Sequence, residues 1–232
     1  MSKPAARSKT APTDQPPHSL AKADSVSTRL VERSMSRRSA VASEEVGRIV
    51  QATFDVIADS QSPEPSLREV LRRARLSTAT FYRYFRSRDE LILVVLDEGS
   101  WILTSYLEHR MAGEADPVAK VSAWIKGFLH QAESPTAADR TRPFAVGSAR
   151  VESQFPVEHR RLDERMVKLL EDQIVAGNET GMFNSLDPER DAWVILDFIR
   201  AGVLHHILAR TKPSKQTIDH AVSAALRILG AS

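Results

Sequence analysis

The sequence predicts an all-α protein of about nine helices, and three observations carry that expectation. Apolar residues recur at three-, four- and seven-residue spacing through most of the chain after residue 43. Helix-start signals stand ahead of these runs, among them Ser87-Arg-Asp-Glu90, Asp116-Pro117 and Asp187-Pro188. Only nine glycines occur in 232 residues, and no alternating run is paired with a hairpin turn.

Residues 1–43 carry eight basic and three acidic groups and are rich in Pro, Ser and Ala. Leu20, Val26, Leu30 and Val31 are too sparse there to build a core, so a disordered basic extension is expected. Arg29, Arg33, Arg37 and Arg38 give its last part the character of an arm that could run along DNA, or of a merely solubilising leader. A helix is expected from Ser43 to about Asp59, with Val46, Ile49, Val50, Thr53, Phe54 and Ile57 on one face, and Pro63 and Pro65 forbid its continuation.

The next stretch organises the rest. Ser66 with Glu69 reads as a capping box, and Leu67, Val70, Leu71 and Ala74 form one inward face. After a tight turn at Ala74-Arg-Leu76, Ser77 is suited to cap a second short helix whose Phe81 and Phe85 share a face. Between 66 and 88 there are seven basic residues and one acid. Two short helices so charged, interleaved with hydroxyls and tyrosines, have the footprint of a DNA-binding helix-turn-helix; a solvated basic surface is the plainer alternative. Thr78, Ala79 and Thr80, at the start of the second helix, would meet base edges, while Tyr82, Tyr84 and Arg88 would bond phosphates. Tyr82 and Tyr84 have packing as a competing role.

The run Ser77-Thr-Ala-Thr-Phe-Tyr-Arg-Tyr-Phe-Arg-Ser-Arg-Asp-Glu-Leu91 resembles the segment that closes the DNA-binding domain of TetR-family regulators, and the likeness extends over roughly residues 45–96. Two departures stand out: Arg75 where the family usually has Gly, and the longer loop Gln61-Ser-Pro-Glu-Pro65. The resemblance points to the same positions, Ser77, Thr78, Ala79, Thr80, Tyr82, Arg83, Tyr84 and Arg88, and adds Arg68 as a guanine reader. It implies a three-helix DNA-binding domain at 44–90, a ligand-binding and dimerisation domain at 91–232, and a repressor that grips a palindromic operator as a homodimer until a small-molecule effector releases it.

From 87 the pattern predicts one long helix to about 111, then a helix from Asp116-Pro117 with Val121, Trp124, Ile125 and Phe128 facing inward. Pro135 and Pro143 bracket a less regular stretch, with a short helix around 137–153. A charged helix follows over 157–176, ended by Gly177-Asn178. Helices at 187–209 and 214–229 complete the chain; the first is apolar nearly all round and so must be covered on two sides, which a four-helix bundle with a second copy would do.

Trp101, Trp124, Phe128, Phe144, Phe155, Met166 and Phe198 are the large apolar side chains available to line an effector cavity, although such residues at helical spacing are more often plain core. Arg142 and Arg150 have the chemistry to clamp an anionic head group, and pairing with Asp139 or Glu152 is the alternative. His205 and His206 are adjacent and point apart on a helix, so they cannot share a metal. No nucleophile elbow or metal-spaced histidine pair is present. Neither a cofactor nor catalysis is expected; the competing class is an all-helical carrier or enzyme using the C-terminal cavity.

The chain contains no cysteine, which excludes disulfides and thiolate metal sites and suits a reducing cytoplasm. Its longest apolar run, Leu91 to Leu96, falls far short of the roughly 18 residues of a membrane span, so a soluble, cytoplasmic protein is expected. Net charge is +5 over residues 1–43, zero over 44–95 and −3 thereafter, which places the phosphate-facing end at the N-terminus.

Overall fold

A computed structural model describes residues 26–231, with side chains from Ser39 onward, and among the described residues there are nine helices and no strand. They are α1 (Val26–Ser60), α2 (Leu67–Ala74), α3 (Thr78–Tyr84), α4 (Arg88–Ala112), α5 (Pro117–Glu133), α6 (Pro135–Gln154), α7 (Pro156–Glu179), α8 (Pro188–Ala209) and α9 (Lys215–Ile228). The all-helical expectation holds. Residues 1–25 lie outside the described residues, as do the side chains of Arg29, Arg33, Arg37 and Arg38.

Three local expectations are corrected. The first helix begins at Val26 rather than near Ser43, so part of the stretch read as irregular is helical. No proline interrupts Val26–Ser60, and its Ser, Arg, Glu and Ala residues allow a helix that needs no core of its own. Ser66 makes no side-chain cap on α2, and the return half of the expected capping box is also missing, since the Glu69 carboxylate is turned towards Arg72 and Arg73. The stretch bracketed by prolines is a continuous 20-residue helix with Pro143 inside it. Pro143 is buried there, and Arg142 Nε donates to the Ile207 carbonyl at 3.1 Å, so packing against α8 offsets the missing backbone donor.

The core falls into two clusters. One joins Ile49, Val56, Val70, Leu71, Phe81 and Phe85 to Leu91 and Val95 at the start of α4. The other gathers Leu107, Trp124, Ile125, Leu170, Ile195 and Ile207 from α4, α5, α7 and α8, with Ala225 and Leu229 from the end of the chain. Because α4 contributes to both, a displacement at one end of this helix is felt at the other. Asp116 caps α5 through Ala119 N–H at 2.8 Å, and Asp187 caps α8 through Arg190 N–H at 3.1 Å. Near the end of α7, Gly177 lies so close to the Phe183 ring that a methyl group there would overlap it, at 2.0 Å from Cδ2.

Among the described residues α8 alone is long and apolar enough, by composition, to cross a membrane. Its Ala192, Ile195, Leu196, Ile199, Val203 and Ile207 are buried in the core of this chain. The opposite face leaves Val194, Phe198 and Leu208 in contact with solvent.

Candidate nucleic-acid interface

The candidate interface comprises α2, α3 and the turn between them. α2 ends with Arg75 in the left-handed region at φ 55°, a conformation that costs a residue with a side chain about 1–2 kcal/mol. Leu76 N–H bonds back to the Leu71 carbonyl at 3.1 Å, closing the helix where glycine is the commoner choice. Ser77 Oγ then accepts from Thr80 N–H at 3.0 Å and starts α3.

α3 is only seven residues long and too short to persist alone. Phe81 and, just beyond the helix, Phe85 are buried, their rings stacked at 5.2 Å, and hold it against the first core cluster. The face left outside carries Ser77, Thr78, Ala79, Tyr82 and Arg83, all exposed, with Thr80 half-buried. Tyr82 leaves 60% of its surface in solvent, against the packing role that competed for it.

Tyr84 is placed differently. Its hydroxyl donates to the Glu45 carboxylate of α1, which also receives Arg83 Nη2, and the Arg83 guanidinium lies 4.9 Å from the Tyr84 ring centre. The hydrogen bond to Glu45, helped by burial, raises the Tyr84 phenol above its usual pKa. Both side chains thus have a partner within the chain, pairings across 38 and 39 residues that sequence reasoning missed.

The basic residues sort in the same way. Arg72 and Arg73 bind Glu69, and Arg73 also reaches Asp59 at 2.7 Å. Hydrogen bonds from Arg72 and Arg73 hold the Glu69 carboxyl down at about 2. Arg68, Arg75, Arg86 and Arg88 have no carboxylate within salt-bridge reach among the described residues, and all four are exposed. Ser87 caps α4 by accepting from Glu90 N–H at 3.1 Å, which sets Arg88 in its first turn.

The residues proposed for a ligand cavity are not gathered together. Trp124 is fully buried and stacked on Phe128, and Met166 lies in the same core. Trp101 is 50% exposed beneath the Arg165 guanidinium, and Phe198 is 44% exposed on α8. Phe144 packs against Phe54 in the first cluster. Arg150 reaches Glu64 and Asp89 rather than Glu152, whereas Arg142 does pair with Asp139. The Trp124 indole N–H is buried with no acceptor among the described residues.

Folding also brings Ser148 Oγ within 2.8 Å of His159 Nε2, tying α6 to α7. Asp163, one turn further along α7, pairs with Arg200 of α8 at 2.6 Å. With the carboxylate directed to the arginine, the set lacks the orienting acid of a nucleophilic triad. No group of three metal-ligating side chains occurs among the described residues.

Residues 49–95 match the family model described as bacterial regulatory proteins, tetR family. Structural likeness extends over most of the chain. The crystal structure of RolR in complex with resorcinol is 17% identical, with 84% of this chain and 91% of that one aligned at a TM-score of 0.67. A tetR-family regulatory protein from Rhodococcus RHA1 is 17% identical over 81% of this chain and 98% of its own, TM-score 0.56. The regulator FadR from Bacillus subtilis in complex with stearoyl-CoA is 16% identical over 78% and 96%, TM-score 0.60. No curated protein sequence matches the chain.

Proposed function

We propose that this chain is a transcriptional regulator of the TetR family, a repressor that binds a palindromic operator as a homodimer and leaves it when a small molecule binds. The observation that carries the reading is the outward face of α3, where Thr78, Ala79 and Tyr82 stand exposed on a helix fixed from behind by Phe81 and Phe85. Laid in a major groove, such a helix offers its first residues to base edges. Thr78 and Ala79 suit the thymine methyl, Thr80 a hydrogen-bonding edge, and Arg68 on α2 a guanine. Ser77 holds the N-terminus in shape. Tyr82 and Arg88 take phosphate oxygens, while Arg83 and Tyr84 reach them only by leaving Glu45.

A second copy supplies the other half-site. The exposed Val194, Phe198 and Leu208 of α8 and Ile228 of α9 are the apolar surface that a four-helix contact between copies would cover. Half-sites repeat at about 34–36 Å, so a dimer held at another separation loses one of them. α4 is the element that would transmit such a change, since it packs into both core clusters. An effector in the helical body is supported by the unpaired indole N–H of Trp124, which an acceptor oxygen on a ligand would satisfy. The structures of RolR with resorcinol and of FadR with stearoyl-CoA agree with such a role.

The test is selection from a pool of random duplexes followed by binding at several salt concentrations. A palindromic sequence is expected, with log K falling by about 0.9 per phosphate contact against log salt. A flat salt dependence, or no retained duplex, overturns the reading.

A further inference from the structure

The cleft between the DNA-binding helices and α6 has a built polar end. It occupies about 230 Å³ between the 61–66 loop, α2, the start of α4 and α6. Leu67, Val70, Leu91 and Val151 form its apolar floor and Val146 its rim. At the polar end the Arg150 guanidinium makes a fork to Asp89, Nε to Oδ1 at 3.1 Å and Nη2 to Oδ2 at 3.2 Å. Its remaining amino group, Nη1, reaches Glu64 Oε1 at 3.1 Å.

The two carboxylates are not equivalent. Asp89 has a side chain only 19% exposed, whereas that of Glu64 is 76% exposed and sits on a loop. An ion pair so open to water contributes at most about 1 kcal/mol, and Glu64 can swing into solvent at small cost. When it does, Arg150 and Arg88 face the cleft against Asp89 alone, leaving one uncompensated positive charge beside an apolar floor. Arg88 has no carboxylate within reach among the described residues to cancel it.

We propose that this cleft binds a small apolar monocarboxylate, whose carboxylate replaces Glu64 on Arg150 and whose body lies over Val70, Leu91 and Val151. The volume is below the roughly 300–1,000 Å³ of sites for drug-sized ligands, which favours a compact aromatic or branched acid over a long chain. Replacing Glu64 frees the 61–66 loop from α6, and a bound anion near Arg88 competes with phosphate for that guanidinium. Binding stands apart from the operator reading; only its consequence for DNA rests on it.

Titration calorimetry on the full chain without DNA tests this, with naphthoate as the probe and naphthamide as its uncharged counterpart. Naphthoate is expected to bind, and the amide more weakly by on the order of tenfold, the loss of a charge-assisted hydrogen bond. Glu64→Gln removes the internal competitor and should tighten naphthoate binding by about threefold. Arg150→Gln should weaken it by on the order of tenfold, and Val146→Trp, at an exposed position, should block it. Thermal melts verify each fold, and the exposed Glu64 and Val146 variants keep the test decisive if Arg150→Gln unfolds. Equal binding of acid and amide, binding of neither, or naphthoate binding indifferent to all three substitutions overturns the proposal.

Discussion

Replacing Ser77 separates the stability of α3 from its contact with DNA. Ser77 Oγ accepts Thr80 N–H at 3.0 Å and lies 3.0 Å from Thr80 Oγ1. In Ser77→Ala this donor is left without its cap, at a cost of about 1 kcal/mol. For a chain of this size that corresponds to a fall in Tm of roughly 2–4 °C. The loss is concentrated in a seven-residue helix anchored by Phe81, so fraying should disturb Thr78, Ala79 and Thr80 before it disturbs the core. If all of the cost appears in operator binding, affinity drops by about fivefold. Ser77→Asp keeps the cap and adds a negative charge at the same point. It is expected to melt as wild type does while losing DNA affinity by more than the alanine variant, since its carboxylate would face phosphates. Differential scanning fluorimetry and fluorescence anisotropy on one labelled duplex give both readouts. Wild-type DNA affinity in Ser77→Asp would show that the start of α3 does not face the duplex. An unchanged Tm in Ser77→Ala would show that the cap contributes nothing.

The remaining outcomes concern other parts of the chain. Tyr82→Phe and Arg88→Ala should weaken binding to all duplexes by about 1–3 kcal/mol, whereas Arg68→Ala should relax preference at one base pair by a similar amount; anisotropy on matched and single-mismatch duplexes tells them apart. Phe198→Glu, on the exposed face of α8, should shift sedimentation from dimer to monomer without lowering helix content, and an unchanged sedimentation coefficient would remove α8 from the dimer contact. Burial pushes the Asp163 carboxyl above its usual pKa even though Arg200 pulls it down. Stability should therefore fall as pH rises from the ordinary carboxylate range through that raised value, and Asp163→Asn should flatten this slope in melts taken upward from about pH 4. At pH 7 the asparagine variant should stay within about 1 kcal/mol of wild type, while Arg200→Ala, which strands the buried carboxylate, should lose on the order of 2–3 kcal/mol.

Local chemistry made much of the fold legible. Asp116-Pro117, Asp187-Pro188, Ser77 and Ser87 start helices because a capping oxygen and a proline in the first turn act within a few residues of themselves. Features that depend on distant partners were not legible in the same way. Pro143 reads as a break until α8 is packed beside it. Ser66 with Glu69 reads as a capping box until Arg72 and Arg73 compete for the carboxylate. At the candidate interface the exposure of Thr78 and Tyr82 followed from the spacing of Phe81 and Phe85. The capture of Tyr84 and Arg83 by Glu45 carries no local signal, since the partners are 39 and 38 residues apart. Aromatic residues at helical spacing gave no guide to a cavity: Trp124 is core, Trp101 and Phe198 are surface, and Phe144 belongs to the other cluster.

Sedimentation of the purified chain with the duplex it selects, repeated across a range of salt, examines the central claim most directly. Two chains per palindromic duplex are expected, falling to none on a duplex whose two half-sites are both scrambled once salt reaches physiological strength. A chain that stays monomeric and ignores both duplexes at low ionic strength would contradict it.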